Sequence, residues 1–126
     1  MMRDEETLLA LCDAVRETAF SLHTYLRHGH LEKVYETGMV HRLRRLGLEV
    51  ERQKILRVFD EDGTGLGEYH ADLLVDNRLI VELKACKALG PEHIAQVLGY
   101  LRAARMRDAL LINFGSPTLQ VRKLIL

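Results

Sequence analysis

Cysteine is scarce in this chain of 126 residues: Cys12 and Cys86 are the only two, far apart and without metal-ligand neighbours. That rules out a disulfide framework and fits free thiols in a reducing cytoplasm. Net charge is also missing, since 18 Lys and Arg balance 18 Asp and Glu, so no global field draws in a polyanion. No apolar run approaches the length that spans a membrane. The acidic start Arg3-Asp4-Glu5-Glu6 is unlike a signal peptide. Repeats, low-complexity tracts and linkers are absent, and no nucleophile elbow or Ser/Cys arrangement points to covalent catalysis. His23, His28, His30, His41 and His70 have no compact zinc spacing. Asp62-Gly63-Thr64-Gly65-Leu66-Gly67 is glycine-rich but lacks the lysine and helix of a phosphate-binding loop, and reads as a hairpin connection.

What is present suffices for one domain, residues 1–126, with a core of its own. Leu8, Leu11, Cys12, Val15, Ala19, Leu22 and Leu26 recur at three- and four-residue intervals and predict a helix over about 5–27. Gly29 breaks it. Leu31, Val34, Tyr35, Met39, Leu43 and Leu46 give a second helix ending near Gly47. Residues 48–59 read as a strand with Val50, Ile55, Val58 and Phe59 as its apolar members, and a strand pair around Asp76-Asn77 follows. Pro91 opens a third helix over 91–106, with Ile94, Val97, Leu98 and Leu101 as its buried stripe. Strands at 109–114 and through Leu119, Val121 and Ile125 close the chain. The order α-α-β-β-β-α-β-β predicts an α/β fold, a mixed central sheet flanked by helices. The strand–helix–strand segment from Glu82 to Phe114 should cross over right-handedly and make its two strands parallel.

The chemistry concentrates at Asp72 and at Glu82-Leu83-Lys84. Charges inside apolar strands are costly to desolvate, and two acids converging on a hard cation beside a lysine would remove that cost. Parity decides whether they converge. Pairing Val75 with Arg78 across a two-residue Asp76-Asn77 turn sets Asp72 opposite Val81 and sends the acids to opposite faces. A three-residue loop, or a turn with one bulge, restores a common face, so an odd-length or irregular turn is expected. Glu82 and Lys84 share a face by alternation, and His70 shares that of Asp72. On the third helix, His93, Gln96 and Tyr100 line one face that could look across the site. Glu32 could turn toward the hairpin, although an acid in a first helical turn ordinarily serves the helix dipole. Arg102, Arg105, Arg107, Arg122 and Lys123 against Asp108 alone make the C-terminal stretch basic, as a phosphate-facing patch or as a solvated helix end and edge strand.

Taken together, these blocks resemble the PD-(D/E)XK nuclease superfamily, and within it the small GxxExxY proteins. Gly29-His30-Leu31-Glu32-Lys33-Val34-Tyr35 matches the naming motif. Asp72-Leu73-Leu74-Val75, Val81-Glu82-Leu83-Lys84-Ala85, Gln96-Val97-Leu98-Gly99-Tyr100-Leu101 and Leu111-Ile112-Asn113-Phe114-Gly115 match successive blocks. His23 also sits where such proteins commonly carry a histidine. Two positions depart: Leu26-Arg27-His28-Gly29 replaces Leu-Gly-Pro-Gly, and Ala71 replaces the proline before the first aspartate. The resemblance implies a restriction-endonuclease-like core, with Asp72 and Glu82 as metal ligands and Lys84 as catalytic lysine. It implies Glu32 as the helical acid, and Gln96 with Tyr100 as the RecB-like Gln-x-x-x-Tyr element. On this reading Mg²⁺ or Mn²⁺ would be held by Asp72, Glu82 and the Leu83 carbonyl, with Glu32 completing the shell through water. The expected partner is nucleic acid, DNA ahead of RNA, and a homodimer suits so small a subunit. A catalytically silent nucleic-acid- or protein-binding module on the same fold is the rival reading.

Overall fold

A computed structural model describes residues 4–126; Arg3, read above as part of the acidic start, lies outside them. The chain runs α1 (Asp4–Leu26), α2 (Glu32–Arg45), β1 (Val50–Phe59), β2 (Gly65–Val75), β3 (Leu79–Lys84), α3 (Pro91–Ala104), β4 (Asp108–Asn113) and β5 (Gln120–Ile125). The five strands form one sheet in chain order, parallel between β3 and β4 and antiparallel elsewhere. A helix must intervene between parallel neighbours, and α3 does so. The α/β class, the element order and the parallel pair are as the sequence predicts. No helix among the described residues is long and apolar enough to cross a membrane.

Two apolar clusters hold the layers together. On one face Leu11, Val15, Ala19 and Leu22 of α1 and Tyr35, Met39 and Leu43 of α2 pack on Leu73, Val81, Leu83 and Ile112. On the other, Val97, Tyr100 and Leu101 of α3 pack on Leu74, Ile80, Leu111 and Leu124. At Gly38 a Cβ would lie 3.0 Å from Leu22, so the missing side chain lets α1 and α2 approach closely.

Several predicted core positions move outward. α2 begins at Glu32, with Leu31 as the extended residue before it. Its buried stripe is therefore Tyr35, Glu36, Met39, Val40 and Leu43, leaving Leu31, Val34 and Leu46 exposed. In β1, Leu56 is buried while Ile55 and Phe59 face solvent, and in β5 Leu124 is buried rather than Ile125. The cause in β1 is a break in alternation. Gln53 adopts φ +48°, in the left-handed region. Below it Leu73 packs under α1 and α2. Above it Ala71, two residues away, packs under α3 with Leu56. Strict alternation would put Ala71 and Leu73 on one face, so the β1–β2 ribbon turns over at Gln53 and Asp72.

Candidate active site

The connection between β2 and β3 positions the acids. Val75 pairs with Leu79, leaving Asp76, Asn77 and Arg78 as a three-residue loop. Asp76 and Asn77 take φ +49° and +57°, which short Asp and Asn side chains tolerate best after glycine. The Arg78 N–H donates to the Val75 carbonyl at 3.1 Å, and the Asp76 carboxylate accepts the Glu49 N–H at 2.8 Å. The loop is therefore odd in length, as parity requires. Ladder pairs run Leu74 with Ile80 and Leu73 with Val81, and just beyond the last pair Asp72 meets Glu82.

Beyond Leu73 and Val81 the two strands part, and side chains take over the hydrogen bonding. The Asp72 N–H donates to Glu82 Oε1 at 3.0 Å, and the Leu83 N–H donates to Asp72 Oδ2 at 2.8 Å. Within a strand a residue's N–H and C=O point to the same side, so the Leu83 carbonyl also faces Asp72. Both acids are buried. Burial, then the charge of Asp72, pushes Glu82 up to about 8. Burial also raises Asp72, despite the hydrogen bond from Leu83.

Lys84 Nζ lies 3.8 Å from Glu82 Oε2 and donates to Gln96 Oε1 at 2.9 Å. Tyr100 is buried next to the acids, and burial with the charges of Glu82 and Asp72 raises its hydroxyl to about 12. The structure thus brings Gln96 and Tyr100 of α3 to the acid pair. His93, on the same predicted face, instead turns back to accept the Gly90 N–H at 3.0 Å and caps the helix. His70 is exposed and lies 3.6 Å from Glu68.

Glu32 comes from the other side, at the first residue of α2. Burial first, and the charge of Asp72 second, raise its carboxyl. Glu32, Lys33, Glu36, Gln53 and Asp72 line a cleft of about 300 Å³. Sequence reading missed three of these, Lys33, Glu36 and Gln53. Glu36 is buried, bound by Arg52 Nη2 at 2.8 Å and Gln53 Nε2 at 2.6 Å. Gln53 also reaches Asp72 Oδ1 at 3.2 Å, bridging the two acids. The four-residue step from Glu32 is a legible sign of Glu36, because it sets both on one helix face. Nothing in the sequence marks Gln53.

Tyr35 explains the local order before α2. Its hydroxyl donates to the Arg27 carbonyl at 2.5 Å and accepts the His30 N–H at 3.2 Å, while its ring stacks on Phe114 at 4.6 Å. These bonds fix the 27–30 turn, where Arg27 and Gly29 take φ +62° and +109°, and so set where α2 begins. His23 is buried, and its Nε2–H donates to the Ser116 carbonyl at 3.0 Å, a packing contact. Behind Lys84, buried Asn113 accepts the Cys86 N–H at 3.0 Å and donates to the Cys86 carbonyl at 2.9 Å. A Cβ on Gly115 would stand 2.3 Å from the Cys86 nitrogen, so no side chain fits there.

A family model described as the PD-(D/E)XK nuclease superfamily matches residues 10–124. The chain belongs to the PD-(D/E)XK nuclease superfamily. The two other comparisons, with curated proteins and with solved structures, returned no match. A PD-(D/E)XK domain implies nuclease activity on a nucleic-acid substrate, and such nucleases generally use divalent metals. Among the described residues no three His, Cys, Asp or Glu gather into a cage. A hard cation that keeps its waters needs only one or two carboxylates. Asp72 and Glu82, mutually repelling and buried together, are such a donor pair, so the residues fit the group.

The basic C-terminal stretch does not act as one patch. Arg122 and Lys123 alternate across β5, and Lys123 pairs with Asp108 at 2.7 Å. Arg102 and Arg105, at the end of α3, lie in a separate groove.

Proposed function

We propose that this chain is a metal-dependent phosphodiesterase cutting DNA or RNA, in the GxxExxY group of its superfamily. The observation that carries the reading is the three-residue Asp76–Arg78 loop, which brings Asp72 to meet Glu82 with Lys84 Nζ 3.8 Å from the latter.

In this reading Asp72, Glu82 and the Leu83 carbonyl would hold Mg²⁺ or Mn²⁺, with Glu32 joining through water. When bound, the ion would lower the pKa of a coordinated water and neutralise charge on the phosphate. Gln96 holds the Lys84 ammonium toward the acids. There it would orient the attacking water and counter the charge that grows on the phosphate oxygens. Gln53 holds the Asp72 carboxylate by a hydrogen bond, and Tyr100 stands on the α3 side of the acids. Supporting the reading is the economy of the arrangement: two buried acids disfavour each other until a cation lies between them.

The test is a cleavage screen over single- and double-stranded DNA and RNA with Mg²⁺ and with Mn²⁺, using Lys84→Ala as control. Metal-dependent cleavage lost in the variant, with substrate binding kept, is the expected result. No cleavage by the wild type on any of these substrates would favour a silent binding module.

A further inference from the structure

A second groove, of about 490 Å³, runs between α3 and the β1–β2 ribbon, lined by Arg57, Phe59, Tyr69, Gly99, Arg102 and Arg105 among others. Its composition is unusual for a neutral protein. Two guanidiniums, those of Arg102 and Arg105 at the end of α3, border it, and neither has a carboxylate within ion-pair distance among the described residues. Arg57 borders the groove from β1, where Glu68 is its cross-strand partner. Two aromatic rings stand with them, Phe59 60% exposed and Tyr69 44% exposed. Solvated aromatics cost free energy unless something stacks on them, and unpaired guanidiniums concentrate positive potential.

The groove adjoins the acid pair. Tyr69 packs on Tyr100 with ring centroids 5.3 Å apart, and Tyr100 feels the charges of Glu82 and Asp72. Gly99, next to Tyr100 in sequence, leaves the floor open: a Cβ there would meet no atom within 4 Å. A chain entering at Arg105 and Arg102 would pass Gly99 and Tyr69 and arrive at Asp72 and Lys84.

We infer that this groove binds single-stranded nucleic acid and delivers it to the acid pair. The inference rests on the phosphodiesterase reading and names its substrate class. Arginines along a groove meet successive phosphates, and exposed rings stack on bases. Such stacking needs bases that are not already paired and stacked in a duplex, so the groove selects single strands.

The experiment measures binding in EDTA, where cleavage is not required. End-labelled 12-nucleotide DNA and RNA single strands and a 12-base-pair duplex are titrated with the full-length protein by fluorescence anisotropy at several salt concentrations. A single strand of either sugar should bind more tightly than the duplex. Arg102→Ala and Arg105→Ala combined should weaken it at least fivefold. They should also lower the salt slope by about 1.4, from about 0.7 for each lost phosphate contact. Phe59→Ala should cost fivefold or more with the slope unchanged. Gly99→Glu, placed in open space on a helix and so compatible with folding, should abolish binding, whereas Gly99→Ala leaves it intact. Preference for the duplex, or wild-type affinity in the folded arginine and Gly99→Glu variants, overturns the inference. Groove-dependent binding without cleavage under any metal would instead sink the phosphodiesterase reading alone.

Discussion

Glu82 Oε1 accepts the backbone N–H of Asp72, and Asp72 Oδ2 accepts that of Leu83, so each carboxylate is tied to the opposite strand at 3.0 and 2.8 Å. The two acids cannot swing apart to relieve their repulsion. The fold therefore favours a proton on Glu82, whose carboxyl is raised from 4.5 to about 8. A raised carboxyl contributes stability that is fully present below its ordinary value and is lost as pH climbs through the folded one. Metal-free protein should melt at progressively lower temperature from about pH 5 to above pH 8. Glu82→Gln should flatten that slope, read by thermal melts in EDTA. An identical slope in the variant would remove Glu82 as its source.

The same proton must leave when a cation binds. Mn²⁺ affinity measured by calorimetry should rise by about tenfold per pH unit up to about pH 8, the signature of one proton released. Glu82→Ala should abolish the binding. Equal affinity in wild type and variant would refute the ligand assignment.

Gln53 carries a strained backbone and a bridging side chain. Gln53→Ala and Gln53→Gly both delete the bridge and should weaken Mn²⁺ binding by about 10- to 100-fold, the usual effect of losing a ligand's supporting hydrogen bond. Their stabilities should differ. Glycine accepts φ +48°, so Gln53→Gly should be more stable than Gln53→Ala by about 1–2 kcal/mol in urea unfolding. Equal stability would mean that the left-handed conformation is not retained.

Tyr35→Phe keeps the ring stacked on Phe114 but leaves the Arg27 carbonyl and the His30 N–H without the hydroxyl. It should lower unfolding free energy by about 1–3 kcal/mol. Cleavage should fall as well, because the freed turn no longer fixes Glu32. Unchanged stability would show that water replaces the hydroxyl at no cost.

Much of this is legible in the sequence alone. Helical periodicity located α1, α2 and α3, and the parity of the β2–β3 connection demanded the odd loop that Asp76, Asn77 and Arg78 form. What escaped has physical causes. The ribbon turns over at Gln53 through one backbone dihedral, which no residue type announces, and that moved Ile55 outward and Ala71 under α3. The burial of Glu36 is not legible because its partners Arg52 and Gln53 come from β1, far along the chain. The basic C-terminal stretch looked continuous in one dimension. Its members scatter because neighbours on a strand point to opposite faces.

Surface loops usually absorb insertions and deletions freely. The Asp76–Arg78 loop should be an exception, because it acts as a counter. Removing or adding one residue would rotate every side chain of β2 relative to β3, hiding one acid in the α1–α2 layer and swinging apolar Leu73 to its place. Length at this exposed tip is thus as tightly constrained as identity in the buried centre.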